Sequence, residues 1–281
     1  MKKLLIPICC LLMLLTGCER YEDVEIDVPY KPKLVTACFL QAQSSTVLVA
    51  VSRSLPVFNN QSKPWGEDNI EYVTNASVVL QRGSTKYYLT YDTAQKLYQA
   101  DLPVAVQSGE QYELVVTSGD NTSRGTTIIP GIVNTNSSIK LDSSLQWDGS
   151  YLYTATLNAT LVDPGKHYVD FMPVIVYVDS SNEMMYTQDI GVIKELNQGE
   201  TISRTFKTTQ GIVGRYPIRI ELIVMNCDEA YARNTNRVVD LMSGIGGIPF
   251  SEPAVTYSNM SNGIGTFGSF NPETRVNFYF K

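Results

Sequence analysis

Few residues in this chain have a type and spacing that could do chemistry, and the first is Cys18, which follows the small pair Thr16-Gly17 at the close of an apolar run. A thiol in that setting is placed for acylation on sulfur rather than for a disulfide. His167 is the sole histidine, so a triad or a zinc site would have to be built on it. It follows Asp163-Pro164-Gly165, a turn signature, which puts it on the surface at the head of a strand; with no second histidine, a zinc site is not expected. Gly263-Ile264-Gly265-Thr266-Phe267-Gly268 has the spacing with which a dinucleotide fold cradles a pyrophosphate. However, Asn271-Pro272 stands where the helix would have to grow, and a glycine-rich turn feeding the last strand is expected instead. Asp142, Asp148, Asp163, Asp170 and Asp179 could serve glycoside hydrolysis only if the fold clustered them, and acids in or beside turns are ordinarily solvated. Asp179-Ser180-Ser181-Asn182-Glu183 lacks the spacing and glycine of a calcium loop, so a hairpin is expected there. The reading assigns no catalytic residue, no metal ligand and no cofactor.

The amino-terminal elements fit this expectation. Lys2 and Lys3 precede the apolar stretch from Leu4 to Leu15, which is too short to cross a bilayer and has the form of a signal peptide over 1–17. Leu15-Thr16-Gly17-Cys18 resembles the lipobox of bacterial lipoproteins. That resemblance implies cleavage before Cys18, diacylation of its sulfur and acylation of the new amino group. Several acyl chains would hold the mature chain on a membrane, each buried methylene adding about 0.8 kcal/mol. Residues 18–32 then read as a lipidated tether, with Glu19, Glu22, Asp23 and Glu25 too polar to pack. An acidic cluster in this place is similar to the signal by which Bacteroidota lipoproteins reach the outer face of the outer membrane, so a position facing the cell exterior is expected.

Loss of Lys2 and Lys3 with the leader makes the mature chain two charges more negative than the full chain's −6, which disfavours nucleic acid as a partner. Of five cysteines, only Cys38 and Cys227 remain once the leader and the acylated residue are set aside. Two thiols so far apart form no disulfide framework, and buried free cysteines are expected. Tyrosines and short Val/Ile/Thr runs between turn residues point to a mainly all-β chain.

The runs divide into two β-sandwich-like domains. Residues 33–130 hold seven expected strands, from Leu34–Leu40 to Thr126–Ile129, and 131–149 reads as an Asn- and Ser-rich linker with room for one strand. Residues 150–281 hold further strands, one closing at Arg275–Phe280, and a covering helix at about 227–242 with Asn226 available as its cap. Pro173, inside an otherwise continuous apolar strand, argues for an edge or a bulge. A long insertion, 56–74, carries Phe58, Trp65 and Tyr72 among polar residues. With Trp147 in the linker, these aromatics are the candidate contacts for a ligand or partner.

Asn75-Ala76-Ser77-Val78-Val79-Leu80, Tyr88-Leu89, Leu97-Tyr98 and Gly109 to Val116 resemble the transthyretin-like sandwich of carboxypeptidase regulatory-like domains, modules that scaffold or bind. Pro249-Phe250-Ser251-Glu252-Pro253 and the stretch from Tyr257 to Phe270 resemble the closing motif of a Bacteroidota lipoprotein family, domain of unknown function 4249. Leu34-Val35-Thr36-Ala37, Val47 to Ser54 and Ile129-Pro130 extend the likeness. It implies an outer-membrane lipoprotein, often encoded beside a TonB-dependent transporter, with no assigned catalytic residue. The expected role is a non-catalytic accessory binding protein for such a transporter, holding a small nutrient or glycan. A structural or adhesive surface protein is the alternative, and a glycoside hydrolase a lesser one.

Overall fold

β-branched and aromatic residues recurring with a period of two become strands because each strand then buries one face. The computed structural model describes residues 30–55, 70–145, 151–179, 182–187, 193–209, 216–242 and 257–279. Pro32–Lys281 cluster as one unit, distinct from Met1–Lys31. The first half holds β1 (Leu34–Gln41), β2 (Thr46–Arg53), β3 (Glu71–Tyr72), β4 (Ser77–Arg82), β5 (Thr85–Asp92), β6 (Leu97–Asp101), β7 (Gln111–Ser118) and β8 (Asn121–Ile128). Alternation is plainest in β1, where Leu34, Thr36, Cys38 and Leu40 are buried and the residues between them are not. The second half holds β9 (Thr135–Leu145), β10 (Tyr151–Leu161), β11 (Lys166–Asp179), β12 (Asn182–Thr187), β13 (Lys194–Asn197), β14 (Thr201–Thr209), β15 (Tyr216–Cys227), a helix α1 (Glu229–Met242) and β16 (Ile264–Tyr279). The described residues are mainly β with one helix, as the composition led one to expect.

β9, β10 and β14 form a three-stranded sheet, while the other strands follow one path, β12-β11-β15-β16-β1-β2-β6-β5-β4-β7-β8, with β13 added to β11 and β3 to β2. β16 is the seam. From Ile264 to Phe270 it runs parallel to β1, and from Phe270 to Tyr279 antiparallel to β15. β8, at the end of the path, returns to the same segment: Arg124 and Ser261 exchange backbone hydrogen bonds of 3.3 and 2.7 Å. The first core is thereby enclosed, and Met260 and Phe267 belong to it together with Leu80, Leu114 and Val116. A second core, with Leu157, Phe171, Leu222 and Val224, lies between the three-stranded sheet and the β11–β15 pair.

Several elements depart from the sequence reading. The last strand begins at Ile264 rather than Arg275, so of the glycines of the GxGxxG run Gly263 sits in the bend before the strand while Gly265 and Gly268 lie within it. A β-carbon on Gly265, whose φ is +124°, would run into the carbonyl oxygen of Thr36, and one on Gly268 would come within 2.8 Å of the Tyr231 nitrogen. These positions are glycine because β1 and α1 approach β16 that closely. The strand allowed for in the linker is β9, an edge strand that takes up 11 residues of it. Asn226 and Cys227 end β15 instead of starting the helix; the cap is Asp228, whose Oδ1 accepts the Tyr231 N–H at 2.7 Å. α1 crosses the seam, with Tyr231 stacked between Phe39 of β1 at 5.2 Å and Phe270 of β16 at 4.9 Å. Pro173 stands on the stretch of β11 between the β13 ladder, which ends at Val169, and the β12 ladder, which begins at Val174, so its missing N–H breaks neither.

Candidate functional site

The aromatic candidates fall into two places. Phe58 and Trp65, like Cys18 and Trp147, lie outside the described residues, but the strands that flank them fix where their segments leave the body. Tyr72 is described: β3 pairs it with Ser52 of β2, and the Lys96 ammonium lies 5.0 Å from its ring centroid. Arg53 and Glu71, adjacent in the same ladder, form an ion pair at 3.4 Å. This insertion is rooted where β1 begins, since the Lys33 N–H donates to Ser54 Oγ at 2.9 Å. The segment carrying Trp147 leaves from Leu145 and returns at Tyr151, beside the end of β14, where Leu152 pairs with Thr209. The same end of the second half holds the start of β15 and the end of β16, where Arg219 pairs with Tyr279. Tyr72 therefore lies toward the head of β16 and the strand ends at Leu145 and Tyr151 toward its foot; 16 residues of strand, up to about 50 Å at about 3.3 Å each, lie between the two ends.

The solitary histidine is at the head of β11, as its turn implied. Its Nε2 lies 3.1 Å from the Pro164 carbonyl and its Nδ1 3.4 Å from the Asn226 amide. Both ring nitrogens thus hold structural partners. Asn226 also donates to the Gly131 carbonyl at 2.9 Å, clamping the passage from the first half to the second. Asp163, in the preceding turn, accepts the Asn134 N–H at 2.7 Å and its side-chain amide at 2.9 Å, which hold its carboxyl below the usual range. Asp142 lies 3.1 Å from Lys140. Asp170 is the exception among the acids expected to be solvated: it is buried within β11, with the Arg204 guanidinium 3.7 Å away. Among the described residues, no group of three His, Cys, Asp or Glu side chains could hold a metal. Cys38 and Cys227 are free and buried, and burial raises both thiols far above their ordinary range.

Sequence reasoning missed a polar cluster at the seam. Asp228 Oδ2 accepts from Thr127 Oγ1, Thr127 Oγ1 meets Ser269 Oγ at 2.7 Å, and Ser269 Oγ donates to the Ile128 carbonyl at 3.0 Å. Asn271 donates to Ser108 Oγ at 3.0 Å and to the Pro130 carbonyl at 3.1 Å. Ser269 and Asn271 lie in or just beyond the closing motif, so that motif serves to fasten β16 to β8 and to the crossover. The family model described as Domain of unknown function (DUF4249) matches residues 21–275. The chain belongs to the DUF4249 family. Among curated proteins, none matches it. The match begins at residue 21 and ends within β16, so it spans both cores and the seam of this chain.

Proposed function

We propose that this DUF4249 protein is an outer-membrane lipoprotein of Bacteroidota type, acylated on Cys18 and displayed on the cell exterior. In this role it serves a TonB-dependent nutrient transporter as a non-catalytic accessory binding protein. Its first half is read as a transthyretin-like scaffold, and its ligand as a small nutrient or glycan. The observation that carries the reading is the course of β16. The chain enters the body at Leu34, beside Ile264, whereas the strand ends flanking Trp147 lie at the other end of β16. A tethered protein built this way offers the far strand ends to a partner. His167, engaged by Pro164 and Asn226, supports a non-catalytic role.

Gentle detergent extraction of outer membranes tests the proposal. A TonB-dependent transporter should co-purify with the acylated chain, and Trp147→Ala should weaken that association while leaving acylation intact. Recovery of free protein alone would overturn the transporter role. A deletion strain defective in attachment, yet normal on every single nutrient, would favour adhesion instead.

A further inference from the structure

We infer that the end of the β body marked by Leu55 and Ile70 rests on the lipid surface, an inference that depends on the anchored reading above. The tether ends there. Lys33, the last residue before β1, is bonded to Ser54 in both directions, its N–H to the Ser54 hydroxyl at 2.9 Å and the Ser54 N–H to its carbonyl at 2.9 Å. Leu55 follows directly, and one further step of the β2–β3 ladder beyond Arg53↔Glu71 sets Ser54 opposite Ile70. Both apolar residues are open to water, at 42% and 50% of their surface. The chain between Cys18 and Pro32 reaches at most about 50 Å, at about 3.5 Å per residue, so this end is held closer to the bilayer than the far end of β16 need be. Large apolar side chains kept there lose water contact by entering the interfacial layer.

The acylated full chain, reconstituted in phosphatidylcholine vesicles, tests this with an environment-sensitive thiol label at L55C, I70C or, as reference, K207C. Lys207 is exposed on β14 in the second half. Cys38 and Cys227 are buried and stay unlabelled. The labels at positions 55 and 70 should shift to the blue and be quenched by headgroup-level spin-labelled lipid, while the label at 207 should not. Vesicle-bound protein with all three labels equally unquenched would overturn the inference and leave the anchor standing. Protein that neither takes up palmitate nor floats with vesicles would overturn both. Shielding of positions 55 and 70 only in native outer membranes, without quenching by lipid, would replace the lipid with a protein partner.

Discussion

The two halves of the molecule solve the same burial problem with different interiors. Among the described residues, the buried polar side chains of β1–β8 are the hydroxyls of Thr36, Ser118, Ser123 and Thr127, whereas β11 and β15 bury the carboxylates of Asp170 and Glu221. Of these, Thr127 meets Asp228 and Ser269 while Thr36 Oγ1 and Ser123 Oγ have no hydrogen-bond partner among the described residues, and an unpaired hydroxyl costs far less than an unpaired charge. A buried carboxylate must be met by an oppositely charged or donating group from another element. The first half is accordingly a self-contained apolar enclosure that lacks only one wall, and β16 supplies it. The second half depends on a specific cross-sheet partner, Arg204 of β14 beside Asp170 of β11. The comparison teaches that the halves are coupled by covalent sharing of β16 while differing in what breaks them.

The largest effect should come from the seam. Gly265→Ala places a β-carbon against the Thr36 carbonyl at a backbone angle of +124°, and should destabilise the chain by more than about 4 kcal/mol, read by denaturant unfolding. If hydrogen exchange showed only one half losing protection, the shared-strand account would fail. Next, Phe267→Ala and Phe171→Ala each empty a fully buried ring site and should cost about 3–5 kcal/mol. The first should lower amide protection in both halves, and the second mainly in β10, β11 and β15. Arg204→Met, which strips the guanidinium from the buried Asp170, should cost about 3 kcal/mol, and adding Asp170→Leu should recover much of the loss. An additive double mutant would remove the contrast drawn between the two interiors. Smallest is Lys96→Ala, worth about 0.5–1 kcal/mol through its cation–π contact with Tyr72 and confined to the first half.

Strands with one greasy face were legible to within a residue or two. The runs at Thr46–Arg53 and Tyr151–Leu161 coincide with β2 and β10. What escaped notice was built from residues that carry no such pattern. The Asn121–Arg124 part of β8 is polar up to Gly125, and the start of β16 is spaced by glycines. Polar edge strands and glycine strands are held by ladder hydrogen bonds and close approach, which leave no hydrophobic periodicity to read. The burial of Asp170 was hidden for the same reason: nothing near it in sequence reveals that Arg204, in another sheet, meets it.

Local chemistry in the chain itself determined the mainly β class, the family likeness, the turn around Gly165 and the helix near 227–242. Those are properties of neighbouring residues, set by periodicity, backbone angle and spacing. Tertiary structure alone decided that a carboxy-terminal strand walls the amino-terminal core. It also decided that the glycines of the closing motif make room for β1 and α1, and that Tyr72 and the ends flanking Trp147 lie at opposite ends of one long strand. Each of these is a pairing between residues far apart in the chain, and the partner that makes such a pairing favourable is specified by three-dimensional register rather than by any local stretch.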